Sequence, residues 1–178
     1  MEKSIYDFSF QEILPLDASF LKERTFIWIL HANKIPPHIG FSIDGLYFSL
    51  KSNGKDEEVP VNKVLEVLKK SKIQSVFVEI EDCITKSDVA TIFDFLQSAS
   101  SEMTCLFPLK KLWDVPENVI KIADLLRFLE RNKKLRKVFG LHLEKDFEGI
   151  PYYTMEQIKS RIEFLNHVKG KKHLPESR

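Results

Sequence analysis

Two apolar runs separated by Asp44-Gly45 constrain the fold of this chain more than any other feature. The runs extend from His38 to Ile43 and from Leu46 to Leu50, and both are rich in β-branched, aliphatic and aromatic residues. Asp-Gly between two such runs is a two-residue turn signal that favours a β-hairpin. The sequence therefore predicts an antiparallel hairpin here, with His38 at its first residue.

The segments on either side of this hairpin extend the prediction of a sheet. Thr25 to His31 is an unbroken β-branched and aromatic run, which is typical of a buried strand. Pro36 and Pro37 then favour a loop, because proline lacks the backbone donor that a helix or an inner strand needs. Residues 52–55 are polar and predict a second loop. Ile73 to Ile80 predicts a further strand.

Helical spacing of apolar residues appears in the remaining segments. Val61, Val64, Leu65 and Leu68 indicate an amphipathic helix. Similar patterns predict helices over about Lys86 to Gln97, from Pro116 to about Leu129, and up to about His167. Thr154 and Gln157 have the spacing of a capping box, which places the start of the last helix at this point.

The length of 178 residues is that of a single globular domain. We interpret residues 1–24 as an irregular or short helical lead-in, 25–168 as one domain, and 169–178 as a flexible basic tail. The predicted fold class is α+β, with a small antiparallel sheet packed against helices.

Composition and charge exclude several classes of protein. The net charge of +1 at 30% charged residues disfavours general binding of nucleic acid. No apolar run approaches the roughly 20 residues that span a bilayer, and the N-terminus does not have the form of an export signal. Two cysteines in such a chain favour reduced thiols over a disulfide framework. We therefore expect a cytoplasmic protein without a membrane span.

The segment His38-Ile39-Gly40-Phe41 resembles the histidine strand of the papain-like and NlpC-type cysteine hydrolases, in which His-aliphatic-Gly-hydrophobic begins a strand. The paired strand, polar loop, helix and further strand follow in the order that this superfamily has. No cysteine precedes His38, whereas Cys105 follows it by 67 residues (105 − 38), ahead of an apolar stretch. This order is similar to the circularly permuted branch of the superfamily, the YiiX-like and LRAT-like proteins.

The resemblance implies a permuted papain-like fold and a thiol hydrolase. Cys105 would attack an amide or ester carbonyl, and His38 would act as the base. Relatives carry a third polar residue, often histidine, on the paired strand to orient the imidazole, and Ser49, or less directly Tyr47, would take that role here. The implied partner is a peptide, amide or acyl-ester substrate, and no cofactor is implied.

A second interpretation belongs to a different class of function. A papain-like domain that has lost catalysis could act as a binding or scaffolding module, with a peptide or an acyl chain in its cleft. A zinc site built from His31, His38, Cys83 and Cys105 is disfavoured, because the chain has no close ligand pair such as Cys-x-x-Cys. The sequence leaves substrate identity and oligomeric state open.

Overall fold

The computed structural model describes residues 5–172, with side chains described for residues 5–168. Its nine strands are β1 (Tyr6–Ser9), β2 (Leu14–Pro15), β3 (Thr25–Leu30), β4 (His38–Ile43), β5 (Leu46–Lys51), β6 (Gly54–Pro60), β7 (Ser75–Ile80), β8 (Leu135–Leu141) and β9 (Gly149–Pro151). Its six helices are α1 (Phe20–Glu23), α2 (Val61–Lys70), α3 (Lys86–Asp94), α4 (Phe107–Leu112), α5 (Ile122–Arg131) and α6 (Met155–Lys172). These bounds and counts refer to the described part of the chain.

Seven of the strands form one sheet in the order β2-β8-β7-β3-β4-β5-β6, and β1 pairs with β9 in a separate antiparallel sheet. Within the large sheet only β2 and β8 are parallel. The predicted α+β class is confirmed. The sheet is larger than predicted and mixed, because residues assigned to the lead-in and to loops contribute additional strands.

The sheet is covered by helices on both faces, which explains why its inner strands are apolar at nearly every position. One face packs on α1 and α2 around a cluster that includes Trp28, Tyr47 and Phe77. The opposite face packs on helices α3 to α6 around the larger cluster, which includes Ile39 and Phe41. Side chains alternate between the faces of a strand, so Ile39, Phe41 and Ile43 of β4 enter the larger cluster, whereas Ser42 faces the other side and accepts a hydrogen bond from Trp28.

Several predicted elements are confirmed and others are wrong. The hairpin turns at Asp44-Gly45, and both the helix 61–70 and the capping box before α6 are present. The polar segment after β5 instead turns back into strand β6, and α5 begins at Ile122 rather than Pro116. Helix α6 continues through Lys172, so the predicted tail begins within a helix, and residues 173–178 lie outside the described residues.

No helix in the described part of the chain combines the length and apolar character needed to cross a bilayer.

Candidate functional site

A cavity of about 720 Å³ lies where β4 begins and β5 ends, and α6 forms one of its walls. Its lining is mainly aliphatic, with nine isoleucine or leucine side chains: Ile35, Ile39, Leu50, Leu106, Ile120, Ile122, Ile158, Ile162 and Leu165. Ile35 and Ile120 are exposed and mark its mouth. The size falls within the range of about 300–1,000 Å³ that is usual for small-molecule sites.

His38 lines this cavity from the first residue of β4. Burial lowers the pKa of His38 to about 4, and the positive charges of His31 and Lys51 add to this effect. The carboxylate of Asp56 acts in the opposite direction, more strongly than either of these cations but less strongly than burial. The imidazole is therefore neutral at pH 7 and can accept a proton only weakly.

Cys105 lies two residues before α4 and lines the same cavity. Burial raises the pKa of the Cys105 thiol, and hydrogen bonding from the backbone of Ile39 and of Cys105 itself only partly offsets this. A thiol with a raised pKa stays protonated at neutral pH, whereas the nucleophilic form is the thiolate. Helix α4 has only six residues, so its dipole contributes little to activating the sulfur.

The cavity brings Cys105 and His38 together, but strand geometry separates the two side chains. A Cβ on Gly40 would meet the ring of Tyr47, so Gly40 faces α2, and His38 shares this face because it is two residues away. Cys105 packs against the cluster on the opposite face, to which Ile39 belongs. No hydrogen bond between described side chains joins the thiol to the imidazole.

Ser49 is buried, and its hydroxyl is directed to Asp56 instead of His38. Its hydroxyl donates a 2.9 Å hydrogen bond to Asp56 Oδ2, and Lys51 Nζ lies 2.6 Å from Asp56 Oδ1. Gly40 pairs with Ser49, and strand alternation puts His38, two residues before Gly40, and Lys51, two residues after Ser49, on the same face of the sheet. Ser49, Lys51 and Asp56 thus form a polar group beside His38 in which Ser49 is a donor to the carboxylate.

Four long cationic side chains contribute to the cavity, and sequence reasoning missed all of them. They are Lys34, Lys51, Lys121 and Arg161. A signal for Arg161 was present in the sequence: it lies among Ile158, Ile162 and Leu165 at helical spacing, so a cation borders an apolar stripe of α6. Lys34 had no comparable signal, because its position depends on the path of the loop after β3.

Cys83 is exposed, and its backbone amide donates to Asp82 Oδ1 at 2.8 Å. Cys83 does not line the cavity. Within residues 5–168, no group of three or more histidine, cysteine, aspartate or glutamate side chains has the arrangement of a metal site.

Comparison of the chain with protein-family models, with curated proteins and with solved structures gives no match. The function must therefore be inferred from the chemistry of the cavity.

Proposed function

We propose that this protein is a binding module that holds an acyl chain in the cavity between β4, β5 and α6. The single observation that supports this proposal is the cavity itself, about 720 Å³ in volume with nine aliphatic side chains in its lining. Transfer of an alkyl chain from water into such a lining is favourable by about 0.8 kcal/mol per buried CH₂ group.

An acyl chain fits this lining better than a peptide does. Peptides bind to sheets by adding a strand to a free edge, and the edge strands of the large sheet are β2 and β6. The strands that line the cavity, β4 and β5, each have a partner on both sides. At the cavity, the β4–β5 ladder ends at Gly40 and Ser49, so only His38–Ile39 and Leu50–Lys51 face each other beyond it, which is too short an edge for an added strand. The cavity offers aliphatic surface instead.

The arrangement of the polar residues favours binding over catalysis. The Cys105 thiol has a raised pKa, and the pKa of His38 lies near 4, so the pair carries neither a thiolate nor a strong base at pH 7. The Ser49 hydroxyl donates a hydrogen bond to Asp56. These three side chains therefore have structural or lining roles in this proposal.

Calorimetric titration of the full chain with dodecanol tests the proposal. We expect saturable binding that Leu165→Trp weakens by about tenfold, equivalent to about 1.4 kcal/mol, because the indole fills space that the chain would occupy. Leu165 lines the cavity, whereas its neighbour Phe164 is 56% exposed and does not line it. Phe164→Trp is thus the matched control and should bind normally. Absence of binding to the unmodified chain, or equal weakening by both variants, contradicts the proposal.

A thiol hydrolase of the permuted papain-like type is the second candidate. One observation favours it: Cys105 and His38 line one cavity. In this proposal a ligand would draw the thiol and the imidazole together, and His38 would pass the thiol proton to the departing alcohol or amine as the Cys105 sulfur replaces it on the acyl carbon. Water would then cleave the thioester, which releases the carboxylic acid and restores the thiol. The backbone amides of Ile39 and Cys105 are the candidate oxyanion donors.

Hydrolysis of p-nitrophenyl dodecanoate separates the two candidates. A binding module should give no turnover above the uncatalysed rate, and Cys105→Ser should bind dodecanol as the unmodified chain does. Iodoacetamide should modify the exposed Cys83 faster than Cys105. Turnover that is lost in both Cys105→Ala and His38→Ala would instead establish the hydrolase.

A further inference from the structure

The four long cations of the cavity differ in whether an acid neutralises them. Lys51 Nζ lies 2.6 Å from Asp56 Oδ1, and Lys121 Nζ lies 2.5 Å from Asp7 Oδ2. These two lysines are therefore held in ion pairs that belong to the fold. Their positive charges are largely balanced by these acids.

Lys34 and Arg161 have no such neutralising partner. Neither side chain forms a salt bridge with an acid in the described part of the chain, and no acidic residue there lines the cavity. Both lie close enough to His31 that their charges lower its pKa, after the larger effect of burial. At its end near His31, the cavity is therefore lined by two cations, Lys34 and Arg161, that no acidic side chain of the described residues neutralises.

We propose that the ligand is a single-chain amphiphile with an anionic head, a carboxylate or a phosphate monoester, and that Lys34 and Arg161 bind this head. This inference rests on the proposed binding of an acyl chain. The guanidinium of Arg161 presents paired donors that match the oxygens of either head group. Lys34 supplies a second positive charge from the loop after β3.

The aliphatic lining begins next to these cations, which sets the direction of the ligand. Ile158 and Ile162 lie on the same helix as Arg161, one turn away or less, and both line the cavity. A chain attached to a head at Arg161 would extend along them toward Leu106 and Ile122. A cationic head at this end would meet like charges, and a neutral head would gain no ion pair with either residue.

Four dodecyl compounds test this inference by calorimetric titration at neutral pH: dodecanoate, dodecyl phosphate, dodecanol and dodecyltrimethylammonium. We expect one or both anions to bind at least about tenfold more tightly than dodecanol, because each gains charge-assisted hydrogen bonds. The cationic compound should bind more weakly than dodecanol. The stronger of the two anions identifies the head group.

Variants connect this preference to the named residues. The double variant Lys34→Gln, Arg161→Gln should lose the preference for anions and keep its affinity for dodecanol. Lys159→Gln is the matched control, because Lys159 is an exposed cation of α6 that does not line the cavity, and it should behave as the unmodified chain does. Equal binding of dodecanol and both anions, or a preference that survives in the double variant, overturns this inference while leaving acyl-chain binding intact. Failure of all four compounds to bind overturns the proposed function as well.

Discussion

Gly40 has a packing reason to be glycine that is independent of any family. A Cβ at this position would lie 2.3 Å from Tyr47 Oη and 2.4 Å from Tyr47 Cε2. Tyr47 is itself buried, in contact with Trp28 at a ring-centroid distance of 4.8 Å. The glycine in His38-Ile39-Gly40-Phe41 is therefore required by the aromatic cluster below the strand, and its presence does not depend on a catalytic role for His38.

Gly40→Ala should destabilise the fold, because the added methyl forces the Tyr47 ring to move within a packed cluster. We expect the free energy of unfolding to fall by about 1–3 kcal/mol, the usual cost of overpacking a core. Urea denaturation of the full chain measures this change. The same substitution in a Tyr47→Leu background should cost less, and equal costs in both backgrounds would show that Tyr47 is not the cause.

The neutral imidazole of His38 makes stability depend on pH. Its pKa is 6.5 in the unfolded chain and about 4 in the fold, so between these values the unfolded chain binds a proton that the folded chain does not. This stabilising contribution is fully present above pH 6.5 and is lost as the pH falls toward 4. The expected loss is about 1.4 kcal/mol for each pH unit in that interval.

Chemical denaturation at a series of pH values checks this expectation. His38→Gln removes the titrating group, so its stability should decrease less steeply between pH 6.5 and 4 than that of the unmodified chain. Parallel pH dependences of the two proteins would mean that His38 is not responsible.

His38 and Cys105, the two residues that the sequence pairs, both line one cavity, but their relative orientation could not be predicted from the sequence. The face that His38 occupies follows from strand alternation with Gly40 and Ser42. The face that Cys105 approaches depends on the path of the chain between α3 and α4, for which no local pattern exists. The predicted role of Ser49 likewise depends on Asp56, which β6 brings opposite it.

At the scale of elements, the features predicted correctly are turns and caps that residues close together in the sequence determine. The Asp44-Gly45 turn and the capping box at Thr154 act within four residues, and both are present. Residues 52–55 predict a polar loop, whereas strand β6 begins at Gly54 and was not predicted. Its charged sequence lacks an apolar pattern, and such a sequence is usual for a protected sheet edge. Strand β8 begins in a basic segment and acquires its strand conformation by pairing with β7.

Asp7 attaches the small sheet to α5 and was not identifiable from sequence. Its side chain, only 5% exposed, binds Lys121 just before α5 and Arg127 within it, and the Asp7 carbonyl also accepts from Arg127. Asp7→Asn removes the charge that balances both cations. We expect the free energy of unfolding to decrease by about 1–3 kcal/mol, less than for a fully buried pair because both cations are partly exposed.

Thermal and urea denaturation measure the effect of Asp7→Asn, and Glu81→Gln provides the matched control. Glu81 pairs with Arg136 on the surface, where both side chains are close to half exposed or more. Removal of this surface pair should leave stability unchanged within error. An equally small effect of Asp7→Asn would show that burial does not increase the contribution of the Asp7 ion pairs to stability.

At the scale of the whole molecule, the sheet order and the cavity both depend on contacts between distant segments. Strand β8 lies between β7 and β2, so a strand near the start of the chain pairs with one more than 120 residues later. The cavity combines side chains from His31 to Leu165. Periodicity and turn signals act over a few residues, so they predict elements without predicting which elements become neighbours.

This topology predicts an order of local stability that hydrogen exchange can measure. Strands β3 and β7 lie at the centre of the large sheet, pair on both sides and are covered on both faces, so their amides should exchange slowest. The β1–β9 sheet has two short strands, and β6 is an edge strand. The amides of these segments should therefore exchange faster, through local unfolding that leaves the rest of the domain folded. Mass-spectrometric exchange on peptides resolves the three groups. Equal protection of β1, β9 and β3 would instead show that the small sheet opens only with the whole fold, in which case Asp7 would act on global stability.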